Sequence, residues 1–214
     1  MSYESVEDLI RIVDESVDNG KKSKSKITHE IEMLRGMSSP RIRHTLNNLC
    51  SYGPCNYLEI GSWGGSTFIP AVYKNQTYAV SIDNYSQFPP SECEGYDAHK
   101  DFQERLLKYG SDLGRYEINN CDCFAPLNLP SDFKPNVYFY DGAHDEEATE
   151  KAIKLFGKIS SQNFILVVDD FELADSVKIG LSKGMLNFDI HKTWHLQKND
   201  GYHMGVFIAV LSQR

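Results

Sequence analysis

The chain has 214 residues, 41% apolar and 24% charged, the composition of an ordinary globular domain long enough to bury a sizeable core. Its formal net charge of −8 argues against a nucleic-acid-binding surface, which needs clustered Lys and Arg to neutralise phosphates. No stretch approaches the ~20 apolar residues of a membrane-spanning helix, and the basic run from Lys21 to Lys26 is short, polar and reads as a solvated loop.

The first fifty residues read as helical. Val6, Leu9, Ile10 and Val13 recur at helical spacing, as do Ile27, Ile31 and Leu34. Ser39-Pro40 suits the start of another helix, running through Ile42, Leu46 and Leu49 until Ser51-Tyr52-Gly53-Pro54 breaks it. The chain thus divides into an N-terminal helical segment, 1–52, expected to cap the remainder or contact another copy in a homo-oligomer, and a domain spanning 53–214. The N-terminus, Met1 to Asp8, is acidic and lacks the pattern of a signal peptide. Cys50, Cys55, Cys93, Cys121 and Cys123 are odd in number and have no paired zinc spacing, so reduced thiols and a cytoplasmic location are expected.

From residue 56 onward strands alternate with helices. The expected strands are Tyr57–Ile60, Thr77–Ile82, Arg115–Asn119, Val137–Tyr140, Phe164–Val168, Asp189–Leu196 and Met204–Leu211. The expected helices are Thr67–Lys74, Asp97–Lys108, Asp145–Lys158 and Ala174–Asn187. Short apolar runs interleaved with amphipathic helices indicate parallel strands covered on both faces. Only the polar turn Gln197–Gly201 separates the last two strands, too little for a crossover helix, so they form an antiparallel hairpin. The fold class is α/β: a Rossmann-like, seven-stranded, mostly parallel sheet with a C-terminal antiparallel hairpin, plus N-terminal helices.

The first strand runs into a glycine-rich turn, Gly61-Ser62-Trp63-Gly64-Gly65-Ser66-Thr67, and the second ends in Asp83. A strand, a glycine turn opening a helix and an acid closing the next strand are the parts of a nucleoside-binding βαβ unit. Gly61, Gly64 and Gly65 lack side chains where backbone turns sharply or approaches a ligand, and Asp83 offers acceptors for two ribose hydroxyls.

Ligands of open α/β sheets sit outside the carboxyl ends of the strands. There this chain places Asp83, Asp122, Asp141 with His144, and Asp169-Asp170. Each acid alone has an ordinary reading as a cap or turn residue, Asp122, Asp145 and Asp170 among them. As a set, Asp141, Asp169 and Asp170 end strands expected to be neighbours, where unpaired carboxylates repel. A divalent cation relieves that repulsion, and an all-oxygen ligand set suits Mg²⁺. His144 would sit at the rim of the same cleft, placed to take a proton from a hydroxyl; its ordinary reading is a surface histidine at a helix start.

Leu58 to Thr67, with Asp83 and Asp141-Gly142-Ala143-His144, resembles class I S-adenosylmethionine-dependent methyltransferases, and most nearly the macrocin and mycinamicin O-methyltransferase-like group, whose metal-dependent logic is shared with catechol O-methyltransferases. The resemblance covers residues ~56–211. It implies S-adenosylmethionine as cofactor, with Glu59 and Gly61 near its amino and carboxylate end, Gly64, Gly65 and Ser66 beside it, and Ser62 also among the cofactor-binding residues. It further implies Asp83 on the ribose, Asp122 near the adenine amino group, Mg²⁺ or another divalent cation on Asp141, Asp169 and Asp170, and His144 as catalytic base, with Asp141 sharing the catalytic and cofactor sites. Asp145-Glu146-Glu147 and Asn84-Tyr85-Ser86-Gln87-Phe88 depart from the family pattern. The implied reaction is methylation of a hydroxyl on a small molecule, a sugar or a natural product. The alternatives are a non-catalytic cofactor-binding partner protein and an NAD-dependent oxidoreductase, the latter opposed by the absence of G-x-G-x-x-G and by the terminal hairpin. Trp63, Tyr85, Phe88, Phe171, Trp194 and His203 are candidates for an acceptor wall, and Tyr85–Gly95 is a loop of the length that closes over sites.

Overall fold

A computed structural model describes residues 3–87 and 89–214. Its seven strands are β1 (Cys55–Ile60), β2 (Thr77–Asp83), β3 (Arg115–Asn120), β4 (Val137–Tyr140), β5 (Asn163–Val168), β6 (Phe188–Leu196) and β7 (Val206–Gln213). They form one sheet in the order β3-β2-β1-β4-β5-β7-β6. The first five are parallel, and β7 inserts antiparallel between β5 and β6. The central strands are largely apolar, as in Phe164-Ile165-Leu166-Val167-Val168, because helices cover both faces.

The helices are α1 (Val6–Lys21), α2 (His29–Glu32), α3 (Pro40–Leu49), α4 (Phe68–Val72), α5 (Ala98–Tyr109), α6 (Glu146–Ile159) and α7 (Asp175–Gly184). Ser5, Thr28 and Ser39 cap the first three, each side-chain oxygen accepting a backbone N–H of the first turn. Leu9, Ile12 and Val13 of α1 and Ile42, Leu46 and Leu49 of α3 share one core with Tyr57, Val167, Ile208 and Val210 of the sheet. The opposite face packs Ala152, Ile153 and Phe156 of α6 and Val177 and Leu181 of α7. The N-terminal helices thus share one core with α4, α5 and one face of the sheet.

Element ends shift from expectation, and for three of them the structure gives the reason. The helix expected around Ile27–Leu34 is a single turn, because the Arg43 guanidinium takes the carbonyls of Glu32 (2.6 Å) and Leu34 (2.7 Å). Helix α4 stops at Val72 rather than Lys74: Lys74 has a left-handed φ of 54°, and the Asn47 amide donates to the carbonyls of Pro70 and Tyr73. Strand β7 begins at Val206 because Met204 and Gly205 both have positive φ.

Backbone hydrogen bonds carry the ladder just past the strands. Gly61 donates to Ile82 (2.9 Å), Asp141 to Ile60 (2.8 Å) and Asp169 to Tyr140 (3.0 Å). Gly61, Asp141 and Asp169 thus leave the sheet at one level, side by side.

Candidate active site at the strand ends

Above these residues lies a cavity of about 400 Å³, walled by the segments that follow β1 to β5 and by Met37, His203 and Met204. Its floor depends on Gly61, whose φ is 86° and where a Cβ would run into the Asp141 carbonyl. Gly64 and Gly65 serve a different purpose. A Cβ there would strike the Tyr96 hydroxyl and the Phe102 ring respectively, so these glycines let the turn seat against α5 and the loop before it. The Gly64 carbonyl accepts from Arg105 at 2.6 Å.

Asp83 fixes the turn from the neighbouring strand. One carboxylate oxygen accepts the Trp63 N–H and the other the Tyr85 N–H, each at 2.7 Å. A carboxylate has acceptor capacity beyond two bonds, so oxygens on the cavity wall still have lone pairs for a diol. Asp122 also lines the cavity while accepting the Phe124 N–H at 2.7 Å, which makes it a turn residue and a wall residue together.

Of the residues expected at the cofactor, Gly61, Asp83, Asp122 and Asp141 line the cavity. Glu59, Ser62, Gly64, Gly65 and Ser66 stand behind it. Glu59 is fully buried, accepting hydrogen bonds from the Tyr57 hydroxyl (2.5 Å) and the Thr67 hydroxyl (2.7 Å). Burial pushes its carboxyl up to about 8 against the opposing pull of those two donors. The Ser62 hydroxyl pairs with that of Ser81 (2.5 Å) and the Ser66 hydroxyl with that of Ser38 (3.1 Å). These groups shape the turn and do not reach into the cavity.

The other side of the cavity is acidic. Donor atoms of Asp141, His144 and Asp170 all lie within 4.8 Å of one another. His144 Nε2 is 3.1 Å from Asp170 and 3.9 Å from Asp141. Asp170 holds a left-handed φ of 53°. That turn is braced by Phe171 N–H to Gly205 (3.0 Å) and Glu172 N–H to Met204 (2.7 Å), which ties the β5 end to the entry of β7. Asp169 lies outside the close group and accepts the Asp170 N–H at 3.0 Å. Of the trio expected as metal ligands, Asp141 and Asp170 join His144 in the closest group, while Asp169 lines the same cavity beside them. Asp145 caps α6 through the Ala148 N–H (2.8 Å) and takes no part.

These groups perturb one another. Burial, then the charges of Asp141 and Asp170, holds the Asp169 carboxyl well above the usual carboxylate range. Burial also raises Asp141, with Asp170 adding to the shift and His144 opposing it. The neighbouring carboxylates of Asp141 and then Asp170 push His144 up to about 10. His144 is consequently an imidazolium at neutral pH when only these side chains surround it.

Among the aromatic candidates, Trp63 and His203 line the cavity. The Tyr85 ring lies against His99, Phe171 packs on Phe207 and His195, and the Trp194 indole donates to Asp14 at 2.8 Å. Phe88 falls outside the described residues. Asn84, Ser86 and Gln87 of the following loop line the cavity, as do Cys121 and Cys123 beside Asp122. Sequence reasoning missed Met37, Leu173 and Met204. Met37 carried one signal, a large apolar side chain in the otherwise small and polar Gly36-Met37-Ser38-Ser39.

No protein-family model matches this chain, and no curated protein matches it in sequence. Solved structures do match its fold. The O-methyltransferase TomG from Streptomyces achromogenes, involved in tomaymycin synthesis and solved in complex with SAM, superposes with a TM-score of 0.54 at 18% identity, covering 93% of this chain and 90% of TomG. The fold is that of S-adenosylmethionine-dependent methyltransferases. TrmN from Thermus thermophilus matches at a TM-score of 0.57 and 12% identity over 86% of this chain. The ribosomal protein L11 methylase from Lactobacillus delbrueckii subsp. bulgaricus matches at 0.51 and 11% over 81% of this chain and 77% of its own. This chain spans about half the length of TrmN (52%) and of a methyltransferase structure from Streptococcus mutans (48%). Among the described residues no helix is long and apolar enough to cross a membrane.

Proposed function

We propose that this protein is an S-adenosylmethionine-dependent O-methyltransferase that uses a divalent cation, Mg²⁺ by the oxygen-rich character of its site, to methylate a hydroxyl of a small molecule. The observation that carries the reading is the juxtaposition in one cavity of a glycine turn clasped by Asp83 with a group of crowded acids and a histidine. Gly61, Asp83 and Asp122 supply the wall for the nucleoside and the amino-acid portion of the donor. Bound there, S-adenosylmethionine would supply a methyl group already electrophilic on its sulfonium. The acids fit a cation on chemical grounds: burial and then neighbouring negative charge raise the carboxyls of Asp141 and Asp169, opposed by His144 and, at Asp169, by the Asp170 N–H. Held by Asp141 and Asp170 with Asp169 in support, a divalent cation would lower the proton affinity of the acceptor hydroxyl and neutralise the charges that keep His144 protonated.

The chain's own part follows from its geometry. Asp141 and Asp170 hold His144 at the cavity wall with Nε2 turned to the acids. With those charges offset, Nε2 would return toward its ordinary range and could accept the hydroxyl proton as the oxygen–carbon bond forms and the sulfonium sulfur–carbon bond breaks. Cytoplasmic location, a small-molecule acceptor and the absence of a nucleic-acid partner belong to the same proposal.

Calorimetric titration tests the donor assignment. S-adenosylhomocysteine should bind and raise the melting temperature, by about 2.7 kcal/mol of stabilisation at a hundredfold excess over Kd. Stabilisation by NAD and not by S-adenosylhomocysteine would overturn it.

A further inference from the structure

Met37 is 48% exposed and Leu173 42% exposed, yet both line the cavity, together with Met204. Large apolar side chains open to water at a cavity wall lose free energy that a covering ligand would recover. The segment that carries Met37 is firmly held. Arg43, itself 3% exposed, donates to the carbonyls of Glu32, Leu34 and Ser38 and through Nε to the Ser38 hydroxyl at 2.9 Å. On the other side Arg105 donates to the Arg35 carbonyl at 2.9 Å, and the Arg35 guanidinium lies 4.1 Å over the Tyr96 ring. Gly36 abuts Ser66 so closely that a Cβ would collide with its side chain. A loop pinned at both flanks, with one apolar side chain left facing the cavity, is built to present that side chain.

We infer that Met37 is a specificity-determining residue, and that with Leu173 and Met204 it receives an apolar face of the acceptor next to the hydroxyl that is methylated. The inference rests on the O-methyltransferase reading and narrows its acceptor. A bare, fully hydroxylated sugar would leave several hydroxyls against methionine and leucine with no partner, a cost in every binding event. A molecule that joins its hydroxyl to an aromatic or alkyl surface meets the wall with matching chemistry, and thioethers pack well against ring edges.

Two probes with the same sugar hydroxyls isolate the wall: 4-nitrophenyl β-D-glucoside and methyl β-D-glucoside. Each is titrated calorimetrically into the S-adenosylhomocysteine-saturated full chain with EDTA present. The nitrophenyl compound should bind about tenfold more tightly or better, and Met37→Gln should cut that preference about fivefold, as expected for losing roughly 1 kcal/mol of apolar contact. Met37→Leu should retain the preference. Unchanged affinity of Met37→Gln for S-adenosylhomocysteine shows that the site is intact. Equal affinities of the two probes, no measurable binding of either, or a preference untouched by Met37→Gln would each overturn the inference while leaving the donor assignment standing. Failure of S-adenosylhomocysteine to bind would overturn both.

Discussion

At the ends of β1 and β2 each acid has donors of its own, whereas at the ends of β4 and β5 the acids have mainly one another. Glu59 receives two hydroxyls and Asp83 two backbone N–H groups, and both are part of a settled hydrogen-bond arrangement. Asp141 and Asp170 crowd around one histidine with Asp169 beside them, and Asp141 and Asp169 are raised by burial and neighbouring charge. The first region is preorganised by the fold alone. Burial raises Glu59 in the first region as well, but only in the second do several acids add charge to one another at a cavity wall, the arrangement of a site that awaits a ligand. A donor-binding wall and a chemical centre thus differ in how fully the protein satisfies its own polar groups.

That contrast can be broken or sharpened by substitution. The largest effect is expected at the acidic end: His144→Ala should lower methyl transfer by about 10²–10⁴-fold with S-adenosylhomocysteine affinity nearly unchanged, measured by steady-state kinetics beside calorimetry. On the other side, Gly61→Ala should act on folding, costing about 2–4 kcal/mol in chemical denaturation, because the added methyl meets the Asp141 carbonyl in a left-handed conformation. Arg43→Leu should cost about 2 kcal/mol by leaving the carbonyls of Glu32, Leu34 and Ser38 without their buried donor.

A smaller effect concerns pH. Glu59 has its folded-state carboxyl raised to about 8, so between its ordinary range and that value the native chain binds more protons than the unfolded one. Stability then falls as pH rises through this window, by up to about 1.4 kcal/mol per pH unit from this group. Glu59→Gln should flatten the decline in melting temperature between pH 5.5 and 8.5. Asp141 and Asp169, also raised, keep part of the slope. An unaltered slope would mean that the carboxylate is ionised in place.

Much of the architecture was legible because it follows from periodicity. Sequence pattern marked all seven strands, and the short polar connection after Leu196, too brief for a crossover helix, dictated the antiparallel closure. Helix lengths were less legible where a distant side chain decides them: Arg43 ends the turn at Glu32, and Asn47 ends α4. In the site, the strand-end rule singled out Asp83, Asp122, Asp141, Asp169 and Asp170, all of which line the cavity. Sequence position could not separate Gly61, which faces Asp141, from Gly64 and Gly65, which face Tyr96 and Phe102. Nor could it separate Asp169 from Asp170, since the left-handed turn at Asp170 is set by pairing with Met204 and Gly205, some thirty residues away. Met37 escaped notice because its loop reaches the cavity only through tertiary contacts with Ser66 and Arg43.

The central claim is that the β4–β5 end is completed by a cation while the β1–β2 end is complete already. Titration of MgCl₂ into the S-adenosylhomocysteine-bound protein, followed by calorimetry, tests it most directly. The account predicts one saturable site in the wild type that is lost in Asp141→Asn and in Asp170→Asn, with S-adenosylhomocysteine binding retained in the Asp170 variant. No saturable Mg²⁺ binding, or binding that persists in both variants, would contradict it.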